Sequence, residues 1–423
     1  MNTLEIISVL VATAALFGWL SSRVLRLPIT IGTMLLTVLT TFALALIGRI
    51  APGLHDSAER LARSIDFESL IMHGMLPLLL FAGAFLLDLE HLEREKLPVA
   101  VLSVLGTLLS VFAVAGLMML ISGTGASWME CLIFGALIAP TDPIAVLELL
   151  RRVGIPKPIQ AQLAGESLFN DGLGAVLFLT MINIARGQAP TPGHIAWLLL
   201  LEAGGAILLG ILGAWLVSQL MCLAGSYQVE ILLTLAMALG GYVVADLWHL
   251  SAPMEAVIAG IALRHFNRKQ PKGRIADDRV DEFWTLLDEV QNSLLFVLLG
   301  LEAMVVTLNA TTIRAGLAAI FSVNLVRLGV VALCLTIVRL FQKHWRSSVK
   351  TLTWGGLRGG LSIALALSVP KTLGQTQTGA WIFGATYLVV VFSIILQGGS
   401  MQFALARGRL PVAAHGAVAE PKL

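Results

Sequence analysis

Ala139-Pro140-Thr141-Asp142-Pro143-Ile144 places a carboxylate between two prolines in the middle of an otherwise apolar run, 129–150. Such a run is long enough to cross the hydrocarbon of a bilayer as a helix, which takes about 20 apolar residues. Each proline removes an amide donor and clashes with the preceding turn, so the helix is predicted to break here. In lipid a break survives only where other protein or a water-filled cavity satisfies the freed backbone. The opened carbonyls, the Thr141 hydroxyl and the Asp142 carboxylate then offer oxygen ligands to a hard cation. The plainer alternative is an ordinary proline kink around a satisfied Asp.

The rest of the chain fits a membrane solvent. Its 423 residues are 57% hydrophobic and 13% charged, with a mean hydropathy of +0.87, whereas soluble domains carry about 25% charged residues. The formal net charge of +2 gives no basic surface for nucleic acid. Cys131, Cys222 and Cys334 each fall in an apolar run without metal-ligand spacing, and read as small packing residues. No basic stretch precedes Leu4 and no cleavage site follows Ser21, so the first run is read as a retained span. No cofactor is implied.

Thirteen runs are predicted to span: 4–21, 28–48, 70–87, 98–121, 129–150, 162–185, 196–221, 228–248, 252–264, 284–307, 316–341, 350–368 and 380–403. The fold class is therefore an all-α polytopic membrane protein, with a transmembrane domain over 1–404 and a short cytoplasmic tail over 405–423. Cytoplasmic loops collect Lys and Arg. With thirteen spans, twenty basic residues fall on the side of the C-terminus, against Arg49, Arg60, Arg63, Arg186, Arg314 and Lys371 on the other. The N-terminus is thus expected outside and the C-terminus inside. The charged linker 265–283 reads as a solvated cytoplasmic loop.

Arg327 and Arg358 are left inside predicted spans, where an unpaired cation costs several kcal/mol. The sixth run adds Gly165-Glu166-Ser167-Leu168-Phe169-Asn170-Asp171-Gly172, in which Ser167 and Asp171, and Glu166 and Asn170, share helix faces at a spacing of four. Asp142 and Asp171 each lie roughly 12 to 14 Å from the cytoplasmic ends of their spans at 1.5 Å per residue, so they can meet at one level. Arg358 sits among four glycines in Trp354-Gly355-Gly356-Leu357-Arg358-Gly359-Gly360. Glycines so clustered fit either close helix packing or an unwound stretch. Spans five and twelve run in opposite directions, and two interrupted helices so placed are expected of an inverted-topology repeat with its ion site between the halves.

Ala-Pro-Thr-Asp-Pro, then Gly-Glu-Ser-Leu-Phe-Asn-Asp-Gly, then Gly-Leu-Arg-Gly-Gly-Leu-Ser, in this order, resemble the sodium/proton exchanger branch of the monovalent cation:proton antiporters, bacterial NhaP-like type. The likeness covers essentially the whole chain. It implies thirteen helices in two inverted repeats, a core domain beside a dimerisation domain, a homodimer, and elevator-like alternating access in the cytoplasmic membrane. It further implies that Asp171 binds the ion and the proton, with Asn170, Asp142, Thr141 and Ser167 around it. Glu166 and Arg327 resemble a buried charge pair, and Arg358 a core cation near the broken helices. Depth alone places Glu166 nearer Arg358. Many relatives carry a Glu in the third span, where Leu79 to Phe85 here reads Leu-Leu-Phe-Ala-Gly-Ala-Phe; a ligand from that span is absent or replaced by water.

The implied function is secondary active exchange of Na+, or Li+, for H+, with K+/H+ exchange as the rival. Asn170 in place of a second aspartate implies one cation per proton. A cation channel is the next reading, although no Thr-Val-Gly-Tyr-Gly filter occurs. No Gly-x-Ser-x-Gly or His-Glu-x-x-His motif points to an enzyme. Asp246 and Glu255 read as mouth-lining or capping groups, Glu302 as a structural partner at a helix interface, and His73 as a buried packing residue.

Overall fold

The computed structural model describes residues 3–27, 29–47, 66–142, 155–187, 192–268, 275–304, 306, 309–339, 345–373 and 377–401. Over these the chain is helical: α1 Thr3–Leu20, α2 Ile29–Ile47, α3 Phe67–Phe85, α4 Lys96–Ile121, α5 Trp128–Ile138, α6 Lys157–Ala185, α7 Pro192–Leu223, α8 Tyr227–Leu247, α9 Ala252–Arg268, α10 Ile275–Leu301, α11 Ala310–Val338, α12 Trp345–Trp354, α13 Gly360–Leu373 and α14 Gln377–Val391. Among the described residues eight helices are long and apolar enough to cross a membrane. Leu200, Leu208, Leu212 and Leu216 stand exposed on α7, an apolar surface suited to lipid rather than water. The chain is a multi-pass membrane protein.

The helices pack in two groups. In the first, called the core group here, α4, α5, α6, α11, α13 and α14 pack on one another. In the second, the scaffold group, α9 packs against α3, α7 and α8, while α10 packs against α1, α2 and α3. Small residues permit the closest approaches, as where Gly260 of α9 meets the backbone of Phe81 on α3.

Two sequence expectations change here. The linker 265–283 is not all loop, because α10 begins at Ile275. Arg264 forks onto Asp281 at 2.6 and 2.9 Å, and Trp284, fully buried, donates its indole N–H to Thr234 at 3.0 Å. An ion pair and a buried aromatic thus extend the helix below the membrane-length run. His73 is exposed rather than buried, since its helix turns Ile71 and Met75 inward instead. The tail 405–423 lies outside the described residues.

Candidate functional site

The first interruption follows from its prolines. Helix α5 opens with a capping box between Ser127 and Glu130 and makes its last helical bond from Ala139 N–H to the Gly135 carbonyl at 3.0 Å. Pro140 has no N–H to continue it. The freed groups find partners on α6: Thr141 N–H donates to Asn170 Oδ1 at 3.1 Å, Asn170 Nδ2 donates to Thr141 Oγ1 at 2.9 Å, and the Thr141 and Ser167 hydroxyls share a bond of 2.8 Å. Gly174 leaves room for the Pro140 ring, against which a Cβ would clash. Pro143 and the rest of the fifth run to residue 150 lie within 143–154, outside the described residues.

The second interruption separates α12 from α13 over 355–359. Its backbone groups are satisfied one by one. Gln397 Nε2 donates to the Trp354 carbonyl at 2.9 Å, Arg358 Nη1 to the Gly356 carbonyl at 2.9 Å, and Arg358 N–H to Ser393 Oγ at 2.9 Å. The Leu357 carbonyl accepts from Asp142 N–H at 2.8 Å, an isolated antiparallel bridge between the two interrupted helices. Buried backbone polar groups need such partners in a medium without water. Gly359 is required at this crossing, because a Cβ there would collide with the Asp142 carboxylate.

The buried charges are ordered around this crossing. The Arg327 guanidinium grips Glu166 with both ends: Nη1 bonds Oε1 and Nη2 lies 2.9 Å from Oε2, with a further bond of 2.9 Å from Nη2 to the Leu352 carbonyl. The side chains are 7% and 1% exposed, so the pair is sealed from solvent. Gly356 lies under that guanidinium with no room for a side chain. Arg358 is also buried and makes no ion pair among the described residues. Glu166 therefore contacts Arg327, whereas depth along straight helices placed it nearer Arg358. The reason is the break itself, which stops α12 at Trp354 and turns Arg358 toward its own strand of backbone.

Asp171 and Asp142 are half-buried and line a cavity of about 790 Å³ between the two helix groups. Asp171 interacts electrostatically with both Asp142 and Arg358. The wall from α3 is apolar at Leu76, Leu79, Leu80 and Gly83, in keeping with the missing carboxylate of the third run. Asp88 and His91, 2.8 Å apart, also line the cavity. Partial desolvation works to raise the Asp88 carboxyl, but its bonds from His91 and from the backbone N–H groups of His91 and Glu90 outweigh this and hold it below the ordinary value.

Asp142, Thr141, Ser167, Asn170 and Asp171 are thus brought together. Asn170 faces Thr141 with both amide atoms. Glu255 is not at a wet mouth: it is fully buried, with Gly241 pressed against its carboxylate. Glu302 is buried as well, and neither it nor Glu255 has a hydrogen-bond partner among the described residues. Asp246 is exposed. Ser362, the last residue of the Gly-Leu-Arg-Gly-Gly-Leu-Ser motif, lines the cavity as well, and so do Asn292 and Thr30, which sequence reasoning passed over. The signal available was the polar triplet Gln291-Asn292-Ser293 ahead of an apolar run.

Residues 11–407 match the sequence profile of the family described as "Sodium/hydrogen exchanger, transmembrane". The chain is 37% identical over 407 residues to the Na(+)/H(+) antiporter NhaP of Pseudomonas aeruginosa, covering 94% of this chain and 95% of that one. It is 28% identical to the Na(+)/H(+) antiporter NhaH of Halobacillus dabanensis, over 85% of this chain and 89% of the relative. In three dimensions it is similar to the sodium proton antiporter MjNhaP1 from Methanocaldococcus jannaschii, solved at pH 8, with a TM-score of 0.72, 21% identity and coverage of 96% and 99% of the two chains. This last likeness carries the fold. With the profile spanning nearly the whole chain and the two interrupted helices crossing at Asp142 and Leu357, the chain belongs to the transmembrane sodium/hydrogen exchanger family.

Proposed function

We propose that this chain is a secondary active antiporter that exchanges Na+ for H+, one for one, at Asp171. The observation that carries this reading is a charge balance. Around the crossed helices stand two guanidinium groups, Arg327 and Arg358, and three carboxylates, Glu166, Asp142 and Asp171, which leaves one negative charge in excess. One monovalent cation or one proton cancels it. A bare site carries that charge into the bilayer at a cost of several kcal/mol, whereas either loaded site is neutral. Movement restricted to loaded sites is exchange.

In this reading Asp171 binds cation and proton in competition, and Asp142, Thr141 and Ser167 supply further oxygens. Asn170 holds the interrupted helix in place through Thr141 and adds no charge. Arg327 keeps Glu166 neutralised, and Arg358 offsets one of the two site carboxylates. The split into two helix groups with a cavity between them favours elevator-like motion of the core group against the scaffold group. With it we propose thirteen spans in two inverted repeats, a homodimer through the scaffold group, and the cytoplasmic membrane as location. The N-terminus is placed outside and the tail 405–423 inside, on the basic-loop bias. The antiporter names of the relatives above support sodium as the cation.

The test is exchange by the purified protein in proteoliposomes carrying a pH-sensitive dye, challenged in turn with sodium, lithium and potassium. Proton movement with sodium and lithium is expected. Movement with potassium alone transfers the assignment to K+/H+ exchange, and cation flux without protons transfers it to a channel.

A further inference from the structure

The cavity has two unlike walls. The core wall carries Asp142 and Asp171, and the scaffold wall carries the neutral polar groups Asn292, Ser293 and Thr30 beside the acidic Asp288 and Glu289 of α10. We propose that Asn292, seconded by Thr30, is a cation-binding element fixed on the scaffold, which supplies neutral ligands to the partly hydrated monovalent cation while it faces Asp171 and Asp142. The proposal rests on the exchange reading above and adds a specificity element to it.

Asn292 on α10 lines the cavity and is 1% exposed, yet neither its amide oxygen nor its amide nitrogen has a hydrogen-bond partner among the described residues. The Thr30 hydroxyl on α2, 7% exposed and on the same cavity, is in the same condition. Leaving a buried polar group unbonded costs about 1–3 kcal/mol, so two on one wall are expected to have an occupant. An amide that serves packing alone would be bonded to its neighbours. Asn170, across the cavity, is such an amide, with both ends on Thr141.

Helix packing aims Asn292 at the crossing. Leu295, one turn further along α10, packs against Gly360. Residues three apart share a helix face, so Asn292 lies on the side turned to Leu357–Ser362. Thr30 belongs to the same place: Gly300 of α10 packs on Thr37 of α2, and Thr41 Oγ1 donates to the Gly300 carbonyl at 3.3 Å. Two turns back along α2 from Thr37, Thr30 lines the same cavity as Asn292 and Ser293 of α10.

The chemistry suits a cation whose charge is already balanced. An amide oxygen and a hydroxyl coordinate the ion or its water without altering the single excess negative charge of the core. The apolar wall from α3 provides neither. Because the scaffold does not travel with the core group, these ligands act in this access state and strengthen cation binding from this cavity.

The decisive experiment is a sodium titration of exchange in proteoliposomes for the wild type, Asn292→Ala, Thr30→Val and Asp171→Asn. Asn292→Ala is expected to raise the apparent KM for sodium about threefold to tenfold with little change in maximal rate. Thr30→Val, which keeps the side-chain shape, is expected to raise it by less. Unchanged KM in both variants overturns the proposal, as does a fall in maximal rate with KM constant, which marks a structural role. If Asn292→Ala does not fold, Thr30→Val decides alone by the same criterion. A wild type without exchange, or an active Asp171→Asn, refutes the underlying antiport reading instead, and this proposal with it.

Discussion

The backbone N–H of Asp142 donates to the carbonyl of Leu357 at 2.8 Å, so the two interrupted helices are joined by one backbone bond at the floor of the site. The bond requires close approach, and Gly359 provides it. Gly359→Ala forces a Cβ into the Asp142 carboxylate, and its maximal exchange rate is expected to fall at least about tenfold, as misplacement of a reacting group by an ångström costs still more in enzymes. Gly116→Ala, which meets nothing within 4 Å, is the matched control and should exchange normally. Equal rates in the two variants contradict the crossing as the functional centre.

The Glu166–Arg327 pair is buried on both sides. Removing one member leaves the other charge without compensation, a loss of about 3–5 kcal/mol in buried pairs. Glu166→Gln should therefore lower the thermal unfolding midpoint in detergent markedly, and an unchanged midpoint would show that Arg327 is held by other groups.

How much of this was legible in the chain depends on the kind of interaction. The thirteen apolar runs all overlap helices, because the hydrophobic requirement of a span is local. The two breaks were legible from Pro140 and from the glycines around Arg358, since both act through backbone chemistry. The partner of Glu166 was not legible from depth, which assumes straight, upright helices; α12 stops at Trp354 and Arg327 reaches across from α11. Resemblance pointed to Arg327 where geometry along the sequence pointed elsewhere. Asn292 and Thr30 were hidden for another reason. Their meaning lies in what they lack, hydrogen-bond partners, and only packing of α10 against α2 and the core reveals it. The same holds for Glu255, which position near a helix start made look exposed.

The balance of two guanidinium groups against three carboxylates predicts that neither loaded site carries net charge. Clamping the membrane potential with potassium and valinomycin should leave the sodium-driven exchange rate of the wild type unchanged. Asn170→Asp adds a fourth carboxylate and deletes the donor to Thr141, so this variant should lose rate or become sensitive to the clamp. A wild type that responds strongly to the clamp rules out one-for-one exchange.

Competition for Asp171 fixes the sign of the pH dependence. A protonated carboxyl cannot hold the cation, so the apparent KM for sodium should rise as pH falls, approaching about tenfold per pH unit in the acid limb, where each unit is a tenfold change in proton concentration. At alkaline pH it should level off. Titrating KM from acid to alkaline conditions checks this, and a KM independent of pH would mean that proton and cation occupy separate sites.

The most direct measurement is sodium-driven proton movement in proteoliposomes containing either the wild type or Asp171→Asn, reconstituted to equal protein content and shown to be folded. The neutral amide has nearly the shape of the carboxylate but neither exchangeable charge nor proton. The wild type should dequench the internal pH dye on addition of sodium, and the variant should give no more signal than protein-free vesicles. Full activity in the variant would contradict the assignment of exchange to Asp171.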